Sequence, residues 1–327
     1  MPCVSPLKGW KDEETGGIKF RRDGAKEEME VACGQCLTCR LDRARMWAMR
    51  IVHESSLPEY GGRNSFVTLT YRDRRECNQD QLKDRLHIPD DWSLNKKHFQ
   101  DFMKRLRKHF APQRIRFFMC GEYGVHCQHG LNMDVVVCPL CNLGRPHYHA
   151  CLFNCTFPDL VSYGSRNGDL RYTSDVLAGI WKYGFVDVGE LNFQSAAYVA
   201  RYILKKVNGD RADDHYMNFD VDGEITFVTP EFTLMSRRPG IGKAWFDLFK
   251  DDVFPSDEVP VDGVGVVKGV PRYYDELFKI SDPLSLAEIK EVRKQYHKAH
   301  ADDFTPGRLL SKYKCAKAKL ELVPRSL

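Results

Sequence analysis

The chain has 327 residues, which is long enough for one large domain or two modest ones. Hydrophobic residues make up 43% and charged residues 29% of it, a balance that is typical of globular proteins and argues against extended disorder. No run approaches the ~18 consecutive apolar residues of a membrane span, and the N-terminus lacks the basic-then-apolar order of a secretory signal, so we expect an intracellular protein.

The net charge of +4 supports a polyanionic partner only weakly, because acidic residues nearly balance the 49 lysines and arginines. The basic residues are clustered, and the clusters are more informative than the total. Each cluster taken alone is better explained as a solvated face. The clusters lie at residues 96–110, 201–206, 236–243 and 312–319.

Hydrophobic spacing predicts regular structure after an irregular N-terminal segment over residues 1–32. Residues 37–55 place apolar side chains among arginines without Pro or Gly, which predicts a helix with a basic outer face. The β-branched and aromatic run FVTLTY at 66–71 predicts a strand. In residues 93–110 the apolar positions recur close to every 3.6 residues, which predicts an amphipathic helix.

The second half of the pattern contains further strands and helices. They are predicted as strands at 115–124 and 145–153, a helix at 174–184, a strand at 185–191 and helices at 195–209 and 283–300. The order strand, helix, strand, strand, helix, strand, helix suits an α+β fold, with helices on one face of a mainly antiparallel central sheet. From about residue 210 the chain is acidic, irregular and rich in Gly and Pro.

Two histidines, His147 and His149, are separated by one residue on a predicted strand. Side chains at i and i+2 lie on the same face of a strand, so both imidazoles could bind one metal ion, although a pair of structural histidines is an equally good reading. Glu122, at the end of the preceding strand, could add a carboxylate or could be a turn acid that faces water. Together the three would hold a divalent ion able to polarise a phosphodiester.

Tyr198 and Tyr202 lie four residues apart on a predicted helix, with roughly 5–6 Å between their Cβ atoms, so two phenols could reach one site. The alternative is an aromatic core stripe. A tyrosine that attacks DNA forms a phosphotyrosyl ester and frees a 3′-hydroxyl. Lys205 and Lys206 could stabilise the transition state, or could be lysines favoured at a helix end.

The chain has 12 cysteines, which thiolate metal ligands explain better than a disulfide framework in an intracellular protein. One candidate zinc site falls in an insertion over residues 125–144, where His126 is an alternative to His129, and the alternative is a reduced loop without metal. A second candidate precedes the first helix, where the cysteines could also have no ligand role. The two sets are Cys127, His129, Cys138 and Cys141, and Cys33, Cys36 and Cys39, the latter completed by Cys3.

Three motifs in this order resemble those of the HUH endonucleases, and among them the replication initiation proteins of gokushoviruses, which are small single-stranded DNA phages of the Microviridae. FVTLTY resembles the first motif, RPHYHACLF the histidine motif and AAYVARYILKK the tyrosine motif. CGQCLTCR, RFFMCGEYG and SRRPGIG are also similar to gokushovirus initiators. The resemblance covers about residues 30–245, and the insertion over 125–144 departs from it, since family members usually have a shorter turn there.

The resemblance implies an HUH nickase domain over residues 33–245, with an RRM/ferredoxin-like fold. Outside the resemblance, a basic, helical region is predicted over 246–327. It implies site-specific nicking and rejoining of single-stranded origin DNA through a 5′-phosphotyrosine, with Mg²⁺ or Mn²⁺. By the same resemblance His147, His149 and Glu122 are metal ligands. Tyr198 and Tyr202 are alternating nucleophiles.

The chain contains no phosphate-binding G-x-x-x-x-G-K-[ST] motif. By the resemblance, a host helicase and polymerase are therefore the expected partners, in the cytoplasm of a bacterial host. Arg201, Arg237, Arg238 and the basic helix at 96–108 are expected to contact DNA phosphates. Two alternatives stay open. One is a zinc-stabilised, non-catalytic DNA-binding regulator, and the other is a relaxase or transposase with the same chemistry.

Overall fold

The computed structural model describes residues 3–12, 17–21, 28–72, 93–124, 144–166, 168–202, 212–219 and 225–322. The strands are β1 (Leu7–Lys11), β2 (Ile18–Lys19), β3 (Glu28–Val31), β4 (Asn64–Tyr71), β5 (Arg116–Tyr123), β6 (Pro146–Phe153), β7 (Val161–Arg166), β8 (Asp169–Thr173), β9 (Gly184–Gly189), β10 (Met217–Phe219), β11 (Ile225–Phe227), β12 (Phe232–Met235), β13 (Glu258–Val261) and β14 (Gly265–Lys268). The helices are α1 (Leu37–Ser55), α2 (Lys96–His109), α3 (Asp175–Trp181), α4 (Phe193–Arg201), α5 (Ala212–Tyr216), α6 (Lys243–Val253), α7 (Arg272–Ser281), α8 (Pro283–Ala299) and α9 (Pro306–Leu322).

Seven strands form one central sheet in the order β12-β5-β6-β4-β9-β8-β7. Every neighbouring pair in it is antiparallel. The strand β4 lies in the middle, between β6 and β9, as its β-branched and aromatic sequence suits. The prediction of an α+β fold with a mainly antiparallel sheet is confirmed.

Helices cover both faces of the sheet, so the expectation of helices on one face was wrong. Because successive side chains of a strand point to opposite faces, β4 supplies both cores. Phe66 packs with residues of α1 and α4 in one core. Val67 and Leu69 pack with residues of α2 and α3 in the other. A strand buried on both sides shows an apolar run rather than a clean alternation, and this run is what FVTLTY contains.

The helix α2 forms where the amphipathic pattern predicted it. The side chain of Asn95 caps its first turn by accepting hydrogen bonds from the amides of Lys97 and His98. The buried side of α2 consists of Phe99, Phe102, Met103 and Leu106. The basic side of α2 therefore faces away from the sheet.

The helices α1 and α4 pack closely against each other through small residues. Ala44 and Ala48 of α1 meet Ala200 of α4, and all three are buried. The side chain of Asn192 caps α4 by accepting a hydrogen bond from the amide of Ser195, whose hydroxyl in turn accepts one from the amide of Asn192. The alanine contact with α1 holds α4, and with it the segment of the two tyrosines, over the sheet.

Two regions that the sequence predicted as irregular contain regular structure. In the N-terminal segment, β1, β2 and β3 form a small antiparallel sheet. Beyond residue 210, β12 extends the central sheet beside β5, and α6 and α7 pack on α1. Residues before and after position 245 therefore share one core.

Within the described ranges, no helix combines the length and the apolar character needed to cross a membrane.

Candidate active site

Three acid and imidazole side chains meet on the face of the sheet that α1 and α4 cover. Glu122 of β5 is the direct cross-strand partner of His147 of β6. His149 follows two residues later on the same face. The Nε2 atoms of both histidines lie 2.8 Å from the same oxygen of Glu122, Oε1. The three residues form a group that could hold a metal ion.

The outer nitrogens of both rings are held by neighbouring groups. Nδ1 of His147 lies 3.1 Å from the carbonyl oxygen of Arg145, and Nδ1 of His149 lies 3.0 Å from the hydroxyl of Thr68. A carbonyl oxygen only accepts, so Nδ1 of His147 carries the hydrogen. Nε2 then faces Glu122 either as the N–H donor of a protonated ring or as the lone pair of a neutral ring. In the neutral ring two acceptors lie 2.8 Å apart, and a cation between them would remove their repulsion. The donor set therefore fits a cation.

The group is buried but opens on one side. Glu122 is 2% exposed and His149 is 4% exposed, whereas the side chain of His147 is 16% exposed. Burial alone would raise the pKa of Glu122, but the two imidazoles, His147 most strongly, hold that pKa well below its ordinary range. Glu122 is therefore an anion at neutral pH, as a metal ligand must be.

Both tyrosines lie against this group. The hydroxyl of Tyr198 donates to Oε1 of Glu122 at 3.5 Å. The ring of Tyr202 stacks on His149 with 5.7 Å between the ring centroids, and the two tyrosine rings are 4.9 Å apart. Both phenols are largely buried, in the core that also contains Phe66. Burial, and then the charge of Glu122, raise the pKa of Tyr202 far above its ordinary value.

Several other residues were predicted to bind DNA, to act in catalysis or to bind zinc. Arg201 lies between the two tyrosines in sequence, half-buried, and burial lowers its pKa while the two phenols partly offset that effect. Lys205 and Lys206 lie outside the described residues. So do the insertion candidates Cys127, His129, Cys138 and Cys141.

The expected phosphate contacts are not gathered at this site. Arg237 and Arg238 are exposed and follow β12 beside the other end of β5, where the amide of Ser236 donates to the carbonyl of Phe117. Phe117 is five residues from Glu122, or roughly 17 Å along a strand. The basic helix α2 covers the opposite face of the sheet. Both regions therefore lie apart from the group of Glu122, His147 and His149, and their contacts with DNA stay a prediction.

Sequence reasoning missed the surface that continues from the group across the sheet. Cross-strand pairing runs from His147 to Thr70 of β4 and on to Phe185 of β9. Phe185 is 50% exposed, and the guanidinium of Arg72 lies over its ring at 5.7 Å. Two strand spacings place Phe185 roughly 10 Å from His147. The alternation in FVDVGEL indicated a strand, but no local signal gives the register that sets this row.

Beside that row lies a second one with polar character. His149 pairs with Thr68 of β4, and Thr68 pairs with Asp187 of β9. The hydroxyl of Tyr163 donates to Asp187 at 2.8 Å, and the guanidinium of Arg171 lies 3.2 Å from the same carboxylate. Tyr163 is 61% exposed. The surface defined by Phe185, Arg72, Tyr163 and Arg171 is called the sheet platform below.

A second group of possible metal ligands lies at the start of α1. It consists of the four cysteines that were the second candidate zinc site in the sequence, and their sulfur atoms are all within 4.8 Å of one another. The Sγ atom of Cys3 lies 3.5 Å from that of Cys33 and 3.7 Å from that of Cys36. Cys39 completes the group from the first turn of α1.

This α+β protein, with a candidate metal group beside paired tyrosines, is similar to known replication-associated proteins. The family described as replication-associated protein ORF2/G2P matches residues 64–207, which include β4, β5, β6 and α4. The chain is 29% identical to the replication-associated protein ORF2 of Spiroplasma virus 4, over 91% of this chain and 87% of the relative. It is 28% identical to the replication-associated protein VP4 of Bdellovibrio phage phiMH2K, over 93% of this chain and 88% of the relative.

A third relative is the replication-associated protein ORF4 of Chlamydia phage 1, with 26% identity over 82% of this chain and 57% of the relative. No solved structure matches the chain. The resemblance to phage replication initiators is thereby confirmed, and the comparisons support a role in phage replication.

Proposed function

We propose that the protein is a metal-dependent endonuclease and ligase that nicks and rejoins single-stranded origin DNA through a tyrosine nucleophile. The observation that carries the proposal is the convergence on one carboxylate oxygen. Both imidazole Nε2 atoms lie 2.8 Å from Oε1 of Glu122, and the phenol of Tyr198 reaches the same oxygen at 3.5 Å. A nucleophile and a set of cation ligands therefore share one site.

Two imidazoles and one carboxylate leave several positions of a divalent ion open for a phosphate. When bound, Mg²⁺ or Mn²⁺ polarises a phosphodiester oxygen and stabilises the charge that develops on it. The chain's own contribution is to fix the ligands on adjacent strands. Thr68 and the carbonyl of Arg145 orient the two rings from behind, which keeps each Nε2 directed at the same point.

In the proposed step the oxygen of Tyr198 attacks the scissile phosphorus. The phenol gives up its proton, the bond from the tyrosine oxygen to phosphorus forms, and the bond from phosphorus to the 3′ oxygen breaks. The leaving oxygen takes up a proton and becomes a 3′-hydroxyl. The 5′ phosphate stays on the tyrosine as an ester, so attack by a 3′-hydroxyl rejoins the strand without another energy source. Tyr202 serves for the second cleavage.

The environment of the Tyr202 phenol opposes its ionisation until a cation is bound. Burial and the anionic Glu122 raise the pKa of Tyr202. A cation at Glu122 would offset that charge and favour a phenolate. Arg201 adds a second positive charge on the same helix. We infer that the nucleophile is activated only with metal and substrate in place, which limits nicking elsewhere.

The sheet platform provides a path for the strand that leads to the cleaved phosphate. The site is most open at His147, and Phe185 lies next to it across Thr70. Aromatic rings on an open sheet stack on unpaired bases, and cations beside them contact the backbone. Phe185 and Tyr163 supply the rings, and Arg72 the cation. Unpaired bases can stack in this way, which fits single-stranded DNA rather than a duplex.

The test uses the full-length protein with overlapping single-stranded oligonucleotides that tile the genome encoding it, in Mn²⁺ or Mg²⁺. Intact-mass measurement should detect one oligonucleotide that becomes covalently attached to the protein. Tyr198→Phe combined with Tyr202→Phe should abolish the adduct while DNA binding persists. Tyr296→Phe, which removes an exposed phenol in α8, is the matched control and should leave the adduct yield unchanged.

A second variant tests the metal. Glu122→Gln keeps the size of the side chain but removes its charge, so adduct formation should slow strongly and should need more Mn²⁺. Undiminished adduct yield in the double tyrosine variant would refute the nucleophile assignment. Equal yields with and without a chelator would refute the metal assignment.

One observation favours the non-catalytic alternative, a DNA-binding regulator. Tyr198 is only 7% exposed and Tyr202 only 4%, as expected of core residues. That alternative predicts DNA binding without any adduct in the same assay. The relaxase or transposase alternative has no such support, because the relatives are named as replication-associated proteins.

We further propose that host proteins complete the reaction. The sequence has no phosphate-binding loop of the helicase type, so a host helicase would unwind the duplex and a host polymerase would extend the 3′-hydroxyl. The bacterial cytoplasm is the place where both are available. Rolling-circle replication at full rate in a host without that helicase would refute this part.

A further inference from the structure

The four-cysteine group connects two distant parts of the chain. Cys3 precedes β1, whereas Cys33 and Cys36 precede α1 and Cys39 lies in its first turn. The sulfur of Cys3 meets those of Cys33 and Cys36 across about 30 residues of sequence. Gly34, with a φ of 71°, allows the tight turn that brings Cys33 and Cys36 onto one point.

The spacing of the sulfur atoms fits one tetrahedral ion. A Zn–S bond of about 2.3 Å in a tetrahedron puts the sulfurs about 3.8 Å apart. The observed separations are 3.5 and 3.7 Å, and no pair exceeds 4.8 Å. A disulfide needs about 2.05 Å between sulfurs. An iron–sulfur cluster spreads its cysteines over different irons, which requires a wider group.

Backbone and side-chain donors around the group are arranged for thiolates. The amide of Cys33 donates to the sulfur of Cys3 at 3.3 Å, and the amides of Gln35 and Cys36 donate to the sulfur of Cys33 at 3.4 and 3.3 Å. The buried hydroxyl of Thr38 lies 3.2 Å from the sulfur of Cys36. Such outer contacts orient and stabilise metal-bound thiolates. A four-thiolate zinc complex is also anionic, which favours the N-terminus of a helix.

The same helix supports the tyrosines. Ala44 and Ala48 of α1 pack on Ala200 of α4, between the positions of Tyr198 and Tyr202. Ala44 is five residues from Cys39, or about 8 Å along the helix. Trp47, on the same helix, packs on Phe118 of β5 with 5.0 Å between the ring centroids. A fixed first turn of α1 therefore fixes the surface on which the tyrosine helix rests.

We propose that Cys3, Cys33, Cys36 and Cys39 bind one structural zinc ion that anchors the start of α1 and thereby positions the helix of Tyr198 and Tyr202. Zinc binds all four sulfurs as thiolates, so each cysteine that is still a thiol gives up its proton to solvent, with no redox step. The existence of the zinc site does not depend on the proposed nicking activity. Its importance for the two tyrosines as nucleophiles rests on that proposed function.

The metal is tested on the full-length chain by elemental analysis, without DNA. Cys33→Ser combined with Cys36→Ser should lose one zinc per chain relative to the unaltered protein. Cys315→Ser, which changes an exposed cysteine in α9, should lose none. Cys138→Ser combined with Cys141→Ser separates any zinc held by the insertion from this one. Unchanged zinc in the first variant, or iron in place of zinc, overturns the proposal.

A second measurement does not depend on how the variants fold. In the unaltered protein, replacing zinc by Co²⁺ should give the visible absorption of a tetrahedral thiolate site. The four cysteines should resist alkylation until a chelator is added. Ready alkylation of all four before chelation, or a disulfide between Cys3 and Cys33 in freshly purified protein, overturns the proposal.

The structural consequence is read by hydrogen exchange. Chelation should increase exchange in the first turns of α1 and in residues 193–201. The comparison is made in a His147→Ala, His149→Ala background, so that loss of the catalytic ion does not contribute. Increased exchange confined to the N-terminal segment, with 193–201 unchanged, overturns the link to the tyrosine helix. Because no nicking is measured, failure here is distinct from failure of the proposed function.

Discussion

The hydroxyl of Thr68 lies 3.0 Å from Nδ1 of His149, so the ring that faces Glu122 is oriented from the neighbouring strand. The two residues are direct partners in the β4–β6 register. This contact fixes the orientation of the ring and keeps Nε2 directed at the carboxylate. Thr68 therefore acts on a cation only through His149, as a positioning residue.

Thr68→Val keeps the shape of this side chain and removes its hydroxyl. We expect the affinity of the site for Mn²⁺ to fall about 10–100-fold, because the ring loses its outer partner. Titration of Mn²⁺ by electron paramagnetic resonance measures the affinity directly. Thr70→Val is the matched control on the same face of β4, since Nδ1 of His147 contacts the carbonyl of Arg145 rather than Thr70. An equal loss in both variants would contradict the assigned role.

How much of the site could be predicted depends on the range of the interactions. The convergence of His147 and His149 follows from the two-residue period of a strand. The position of Glu122 beside them could be predicted by assuming that two consecutive strands, β5 and β6, are neighbours in the sheet. The position of Phe185 needed the register of β9 on β4, which forms between segments more than 100 residues apart. A local pattern contains no information on that pairing, so the sheet platform was not predictable.

The same limit explains the error about the helices. The run from Phe66 to Tyr71 predicts a strand, but both its faces are buried, and the pattern does not say what covers each face. The placement of α1 and α2 on opposite sides follows from crossovers of the chain. The cluster around His53 shows this most clearly, because its partners Trp245 and Tyr274 lie about 200 residues later, where the sequence predicted irregular structure.

Stability should depend on the protonation of His53. Its ring stacks on Trp245 with 3.6 Å between centroids, Nδ1 accepts from the hydroxyl of Tyr274, and Nε2 donates to the carbonyl of Pro260. Burial lowers the pKa of His53 from 6.5 to about 4. Between pH 6.5 and about 4, His53 is therefore protonated in the unfolded chain but not in the folded chain.

The contribution of His53 to the free energy of unfolding is thus fully present above pH 6.5 and is lost as the pH falls toward 4. Its size is about 3 kcal/mol, from the shift in pKa. Urea unfolding across this pH range measures it, with His53→Gln as the variant that lacks this component. His300→Gln, in an exposed position, should keep the pH dependence. Parallel curves for all three proteins would contradict the assignment.

Glu54 and Arg116 form a buried ion pair that connects α1 to β5. Glu54 also accepts hydrogen bonds from the amide of Gly242 at 2.7 Å and from the hydroxyl of Tyr60 at 3.0 Å. Arg116→Met leaves this carboxylate buried without its cation. We expect the free energy of unfolding to fall by about 3–5 kcal/mol, measured by urea denaturation.

Two further variants show whether the loss comes from the unpaired charge. Glu54→Gln added to Arg116→Met removes that charge and should recover part of the stability. Arg308→Met breaks an exposed pair with Asp303 and should leave the unfolding midpoint unchanged. A double variant no more stable than Arg116→Met alone would assign the loss to packing.

Phe185 should contribute to DNA binding and not to folding. Its ring is half exposed and lies in the row that leads from His147 across Thr70. If bases of the bound strand stack on it, Phe185→Ala should weaken binding of a single-stranded oligonucleotide by about 1–3 kcal/mol, which is the usual value of one stacked base. Fluorescence anisotropy at fixed salt measures the affinity.

The control for this prediction is an exposed apolar residue on the other face of the same sheet. Leu170 is 56% exposed and alternates with Arg171, which contacts Asp187 on the side of the histidines. Leu170→Ala removes a similar apolar area but should not change DNA affinity. Because a stacked ring bears no charge, Phe185→Ala should also keep the slope of affinity against salt, whereas Arg72→Ala should reduce it. Equal affinities for the Phe185 and Leu170 variants would show that bound DNA does not cross β9.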